Sequence, residues 1–597
     1  VSDKSLQAIQ DVIRAPWYQY ENSSRGSDFD TFKDQLIINM IPEKSIDFAT
    51  ETAKTQLVKR PGFLSTGTDF LTGLVTNPAS CSIRDFICVT ALFDVFVLAV
   101  FDEIALKFFL IQVRPVTGTS ALLGSITAAT NDFIYLSEIS QTSAGSLVPG
   151  VGINVVKHDY TSSAGYYLIS SAGTMSGVLH NITDTGYPAN QTPALIPVGK
   201  FINQRGTFYI ATLDGTIWNS YAGQNDISAW KNGTLQIGSI KTNIYPDQLL
   251  GLERFKNNIV AFSRNSLEFF QEVGAAVNNP STLAPLDQAF IKFGAVKQEL
   301  IKNVDDVLYW VAFGQDGQTG LWRLDGYTPT KLSTPYIDAQ IAQTATNLNT
   351  YSFNLQSCVM NGKRQIFVNG LSSRGMLTHV AQTSFSNTDT YQIDTLFDSQ
   401  SSAFVYNVED KTWWGFASDL DNGNAPVCTP MFATSFASPV QGNLYVQYAF
   451  LNTATLAVSP NIFRIRVDNI YSDDVSTSIV KPVYIYAQTN SFWFDNEKRK
   501  RISKFKVICN TVPILASGDT STYAMYLIYN KDNSGQPDAS VNFTNTFVRR
   551  IVNPPPQGRI VFNNLGMARV WDFAIIEKSK MNLRLAAFEV DIQQGSH

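Results

Sequence analysis

The side chains that could carry catalysis are few and poorly spaced. Four histidines occur, His158, His180, His379 and His597. None stands in a metal-spaced pair, and HExxH is missing, so the pattern offers no zinc centre. No GxSxG elbow, Walker loop or GxGxxG fingerprint is present. The five cysteines, Cys81, Cys88, Cys358, Cys428 and Cys509, are odd in number and scattered. They fit neither a disulfide framework nor a zinc site, and they are expected to be free, buried thiols. Glycoside hydrolysis needs only two carboxylates, and among 50 Asp and Glu no spacing singles out such a pair. No catalytic, cofactor-binding or metal-ligating residue is therefore assigned. The chain is expected to need no cofactor and not to be an enzyme.

Three other features could do chemistry. Asp419-Leu-Asp421-Asn422-Gly423 has the composition of a calcium loop but lacks its full spacing and closing Glu, so it reads as a turn. Thr212-Leu-Asp214-Gly215-Thr-Ile-Trp218 resembles the Asp-box hairpin of sialidase-type propellers, where the Asp serves its own turn. The strongest charge feature is Lys498, Arg499, Lys500 and Arg501, with Lys504 and Lys506 beyond. It reads either as a contact to nucleic acid or an acidic neighbouring subunit, or as a solvated strand edge guarded by lysines.

The elements around these residues are β-rich. Of 597 residues, 16% are charged and 12% aromatic. That argues against helical bundles and for strands. The net charge of -5 gives no basic excess for gripping a nucleic-acid backbone. The most apolar stretch, 86–113, contains Asp94, Asp102, Glu103 and Lys107, and reads as two or three buried strands rather than a membrane span. The start, VSDKSLQAIQ, has no secretory-leader pattern.

Periodicity predicts a short helix over 3–14, ended by Pro16, then a polar arm over 20–34. A strand broken by Pro42 follows at 36–45, and KRPGFLS marks a turn at Pro61-Gly62. From about 80 to 470 the recurring unit is an apolar run, a tight polar turn and a second run. Hairpins are expected at 208–220, 258–274, 306–326, 402–416 and 443–467. Their second strands align on Trp218, Phe269, Trp322, Tyr406 and Phe463, at separations of 51, 53, 84 and 57. A blade of a propeller takes about 40–50 residues. The longest gap has room for two blades, one marked by KRQIFVNG at 363–370. Stacked sandwiches are the other reading of such hairpins. The last stretch reads as longer sandwich strands, with a stiff connector at 553–560 and a closing hairpin over 568–592. The expected fold is all-β: an irregular β-propeller with an added β-sandwich-like domain and an extended N-terminal arm. The expected divisions are 1–60 for the arm, 61–475 for the propeller and 476–597 for the sandwich.

The order of motifs carries a resemblance. LIINMIPEKS and KRPGF come first, then QRGTFYIATLDGTIWNS and Asp226-Ile-Ser-Ala-Trp230. Pro246-Asp-Gln-Leu-Leu-Gly-Leu252, NNIVAFSRNSLEFFQEVG and LYWVAFGQDGQTGLWRLDGYTPTKLSTPYID follow. Gly566-Met-Ala-Arg569-Val570 and LRLAAFEVDI close the series. This resembles the tail-nozzle proteins of short-tailed bacteriophages, also called tail tubular, hub or packaged-DNA stabilisation proteins, over roughly 36–592; residues 80–200 depart from it. The resemblance implies a structural virion-tail protein, assembled in the host cytoplasm and without enzymatic activity. It implies a homohexameric ring below portal and adaptor that continues the DNA channel, retains packaged DNA and opens for ejection. Its implied partners are further copies of itself, an adaptor or portal-proximal protein, tail fibres or spikes, and DNA, with no membrane span. A receptor-binding or glycan-processing propeller of a tail spike is the alternative.

Within that frame, Lys498, Arg499, Lys500, Arg501, Lys504 and Lys506 are expected at a subunit interface rather than on the channel wall. Gly314, Gln315, Asp316, Gly317, Asp419, Asp421 and Asn422, in turns rich in Gly, Asp and Asn, are the candidate channel gate.

Overall fold

The computed structural model describes residues 10–16, 37–47, 52–66, 70–231, 238–242, 247–274, 281–313, 318–345, 353–374, 400–417, 431–434, 444–452, 457–466, 472–474, 480–488, 499–512, 524–531, 546–552, 557–569, 571–578 and 582–594. Antiparallel sheets succeed one another along most of the chain. Blades 1 to 5 occupy 81–127, 133–181, 197–241, 249–291 and 301–331, each with consecutive strands side by side. Blade 6 is 355–416, and blade 7 begins at Met431–Thr434. First strands of successive blades are neighbours, and Met431–Thr434 also packs against Cys81–Cys88 of blade 1. The ring is thereby closed, and the fold is an all-β propeller.

Strand formation follows apolar content. In blade 1, Phe96–Asp102 is buried at every position, as its Phe, Val and Leu run requires of a strand covered on both faces. The apolar stretch at 86–113 thus becomes three strands, Cys81–Cys88, Phe96–Asp102 and Lys107–Arg114. At the opposite end of the hairpins from the expected Asp-Gly turns, the first and second strands of several blades join through two-residue turns. Arg205-Gly206 (φ 47° and 81°) and Asn361-Gly362 (φ 51° and 74°) show the double positive φ of a type I′ turn. Among the described residues the α-helix is Pro335–Ala345, between blades 5 and 6. It accounts, with the 375–399 connection, for the 84-residue gap. KRQIFVNG does not mark a further blade: it lies in Lys363–Arg374, the second strand of blade 6.

Blade 7 takes its fourth strand from the other end of the chain. Phe63–Ser65 pairs with Ala457–Ile465, Phe463 opposite Ser65. Blade 6 is extended rather than closed. Ile38 pairs in parallel with Gly415 and Ile37–Ile38 in antiparallel with Tyr484–Gln488, carrying the sheet on through Trp571–Lys578 and Ala524–Lys531 to Thr546–Val552. A second sheet, of Met40–Asp47, Thr52–Lys59, Asn582–Gln594, Lys500–Val512, Gln557–Ala568 and Gln10–Pro16, faces this extension. Phe505 joins the two layers, 4.5 Å from Phe573 across the core and 5.4 Å from Phe588 beside it.

Several local expectations need correction. Gln10–Pro16 is a strand, paired with the 587–593 stretch, where periodicity predicts helix to residue 14; cross-strand pairing outweighs a marginal helical pattern. Pro42 does not break its strand: Met40–Asp47 lies at a sheet edge, where a missing N–H is tolerated. The break falls at Asn39, whose φ is 59°. Residues 568–592 do not form a hairpin, since Trp571–Lys578 and Asn582–Gln594 belong to opposite layers. Strands from within residues 1–60 are sandwich strands. The 20–34 arm lies outside the described residues.

Candidate functional site

The basic cluster lies on Lys500–Val512, and the strand-edge reading fails there. This strand is central, flanked by Asn582–Gln594 on one side and Gln557–Ala568 on the other. Alternation turns Ile502, Phe505, Val507 and Cys509 inward. Arg499, Arg501 and Lys504 are exposed, whereas Lys500 is buried. Lys506 is answered within the molecule: its Nζ donates to Asp591 Oδ1 at 2.7 Å and stands 3.9 Å from Glu589. Arg559 reaches the same Glu589 at 3.3 Å. Asp591 and Glu589 sit opposite Lys504 and Lys506 in register, so the outer face is a cross-strand charge ladder. What remains for a partner is Arg499, Arg501 and Lys504. Lys498 lies outside the described residues.

The gate candidates Gly314, Gln315, Asp316, Gly317, Asp419, Asp421 and Asn422 all fall outside the described residues. Only their order along the chain is given by the flanking strands. Residues 314–317 join the second and third strands of blade 5, and 419–422 lie between blades 6 and 7. The Asp214 hairpin is structural: its carboxylate accepts from Thr212 Oγ1 at 2.6 Å and Thr216 Oγ1 at 3.1 Å. It therefore serves turn side chains.

The junction of propeller and sandwich concentrates buried polar groups from LIINMIP and KRPGF. Asn39 and Arg60 are fully buried. Arg60 Nε donates to Asn39 Oδ1 at 2.8 Å, and its other nitrogens donate to the carbonyls of Pro61 and Ala417. Its guanidinium lies 4.7 Å from the ring centre of Phe416 and 5.0 Å from that of Phe63. Asn39 Nδ2 donates to Tyr484 O at 2.9 Å. One node thus ties blade 6, blade 7 and the sandwich together.

The propeller axis holds a charged group that sequence reading missed. Asp85, Tyr135, Lys200, Glu253 and Lys302 come from the first strands of blades 1 to 5. They act on one another electrostatically, as side chains converging on a ring axis do. Lys302 is pushed down to about 8, first by burial and then by Lys200. Burial raises Glu253 despite the nearby Lys200 and Lys302. Tyr135 is raised by burial and by Glu299, from the short turn Gln298–Leu300. These residues stand roughly 50 apart as isolated polar positions in apolar strands, and no motif signals them.

Metal and redox sites gain nothing from the geometry. Among the described residues no three His, Cys, Asp or Glu side chains cluster as ligands, and no helix is long and apolar enough to cross a membrane. Cys81, Cys88, Cys358 and Cys509 are buried free thiols, and Cys428 lies outside the described residues. His158 Nδ1 lies 3.4 Å from Asp132, whose carboxylate also takes the N–H of Ala129 and Lys157 Nζ.

The fold defines a propeller built together with a β-sandwich. Residues 230–404, from the end of blade 3 into blade 6, match the phage-stabilisation family model described as Bacteriophage P22 Gp10, beta-propeller. No curated protein matches. Solved structures show distant likeness. The β-propeller domain of the Trilobed protease from Pyrococcus furiosus has 8% identity and a TM-score of 0.32, covering 64% of this chain and 93% of its own. The N-terminal domain of Nup159 has 8% identity and a TM-score of 0.32, covering 72% and 99%. The computationally designed Ika8 protein has 10% identity and a TM-score of 0.30, covering 72% and 100%.

Proposed function

We propose that this chain is a structural protein of a short phage tail: a ring-forming nozzle that continues the DNA channel below portal and adaptor. The ring retains packaged DNA and opens for ejection, and the chain performs no catalysis. The observation that carries the reading is the P22 Gp10 propeller match over 230–404, which coincides with the central blades. The ordered N-terminal motifs support it, because LIINMIP and KRPGF build the buried node joining propeller to sandwich. A tail component must transmit force without coming apart, and that node makes the two parts one body. Copies related by a closed rotation bring the same outer face against the same partner surface around the ring. Arg499, Arg501 and Lys504, left over from the internal charge ladder, suit an acidic neighbour there.

The test is an image of the assembled tail with symmetry left free. Six copies closed around the tail axis are expected. A monomeric fibre tip would defeat the proposal. So would hydrolysis of host polysaccharide by the purified chain that is lost on substituting one acidic pair.

A further inference from the structure

The strand that closes the propeller is anchored outside it. Phe63–Ser65 completes blade 7, and Ala457–Ile465 of that blade packs against Pro78–Ser80 and Cys81–Cys88 of blade 1. Ile462 thereby joins the core that holds Cys81 and Cys88. Just before Phe63 the chain is a sandwich strand, Thr52–Lys59, with Leu57 opposite Leu585 and Val58 opposite Arg584. The turn between the two strands is seated against the blade 7 sheet. The Arg466 N–H donates to Gly62 O at 2.9 Å, and a Cβ on Gly62 would fall 2.0 Å from Ser472 O.

Two adjacent cations make that seating conditional. Lys59 and Arg60 are both 0% exposed. Arg60 is answered in the propeller, by the carbonyl of Ala417 and the ring of Phe416. Lys59 is answered in the sandwich, by Glu577. Docking Phe63 and Arg60 carries Lys59 to its buried place one residue away. Burying that ammonium is unfavourable unless its carboxylate is already there. Three register pairs at Phe63–Ser65 offset little of the penalty. Glu577 and the strand opposite Leu57 come from the far end of the chain, in Trp571–Lys578 and Asn582–Gln594. Blades 2 to 4 carry no such condition. Each is built of consecutive strands in one sheet, and repeats of that kind hold through their own pairing and their nearest neighbours.

We propose that adjacent Lys59 and Arg60 couple ring closure to sandwich assembly. The seam between blades 7 and 1 and the sandwich form and open as one unit, and the seam stays open in a chain whose C-terminal strands are not in place. Blades 2 to 4 stand outside this unit.

Buried thiols report both places. Cys81 and Cys88 lie in the seam core, and Cys509 lies in the sandwich opposite Leu585. The full chain is labelled under native conditions with excess thiol reagent and the sites are mapped by mass spectrometry. Amide exchange over Thr207–Thr212 reports blade 3. In the wild-type chain Cys81 and Cys509 should share one opening constant and one denaturant dependence, while 207–212 stays protected. Leu585→Ala removes a buried sandwich side chain away from both cations, and should speed labelling of Cys509 and Cys81 by the same factor, about tenfold or more. Glu577→Gln should do likewise. Neither should change exchange at 207–212. The wild-type comparison does not depend on the variants folding. Cys509 opening well ahead of Cys81, a rise at Cys509 alone in either variant, or release of 207–212 in the same step would overturn the proposal.

Discussion

Lys59 and Glu577 meet at 2.9 Å across 518 residues of chain, with the lysine side chain 0% and the glutamate 1% exposed. The pair fastens Thr52–Lys59, in one sandwich layer, to Trp571–Lys578 in the other. Breaking a buried pair strands one charge, which costs about 3–5 kcal/mol. Lys59→Met alone and Glu577→Gln alone should each lower stability on that scale by denaturant unfolding. The double variant Lys59→Met with Glu577→Leu should recover most of the loss, because no buried charge is left unpaired.

Asn39 combines a left-handed backbone with a side chain that takes the Arg60 Nε–H and the Ala417 N–H. Asn39→Gly keeps the backbone freedom and loses the acceptor. It should cost about 1.5–3 kcal/mol, the worth of a hydrogen bond to a charged group. Asn39→Ala should cost roughly 1 kcal/mol more, from the left-handed strain on a Cβ. Equal losses in the two variants would show that the backbone conformation plays no part.

The basic strand separates into two roles. Replacing Arg499, Arg501 and Lys504 by Ser should leave the melting midpoint of the isolated chain almost unmoved, as exposed charges contribute about 0.5 kcal/mol or less. Attachment to the tail should fall, with packaging and genome length normal. Lys506→Ser should do the reverse and destabilise the chain by about 1–3 kcal/mol, since it leaves the buried Asp591 without its partner. Normal tails with slowed ejection in the triple variant would move the cluster to the channel wall.

Asp132 gives a pH-dependent prediction. Burial opposes its charge, but the N–H groups of Ala129 and His158 and the Lys157 ammonium outweigh it and hold the carboxyl below its usual 3.8. A group depressed on folding contributes stability above its unfolded value and loses it as pH falls through the folded value. The stability difference between wild type and Asp132→Asn should be full above pH 3.8 and shrink steadily in more acid solution. A difference independent of pH would assign the effect to packing alone.

The thiols should resist alkylation while the chain is folded. Burial pushes Cys81 up to about 12 and Cys509 up to about 11, leaving almost no thiolate at neutral pH. Native chain should label slowly at Cys81, Cys88, Cys358 and Cys509, and unfolded chain should label fully without reductant. A protected pair after unfolding would reveal a disulfide.

The amino-acid sequence alone determines the β class and most hairpins, because both are written locally. Thr207–Thr212 and Thr216–Asn219 are legible from an apolar run, Asp214-Gly215 and a second run. The same holds for Asn258–Ser263 with Leu267–Glu272, and for Gln400–Asn407 with Thr412–Phe416. Their turn residues fix the pairing within a few positions of chain. Pairing between distant segments leaves no such mark. Gln10–Pro16 reads as a weak helix until the 587–593 stretch lies beside it. Phe63–Ser65 reads as part of a turn until blade 7 needs a fourth strand. Lys500–Val512 reads as a possible edge because only the sheet order shows strands on both sides. The axial group of Lys200, Glu253 and Lys302 is further still from view. Each is an ordinary polar residue on its own strand, and only closure of the ring puts them at one point. Alternation along a strand encodes which side chains turn inward; which other strands share that interior depends on contacts hundreds of residues apart, and those exist only once the chain has folded.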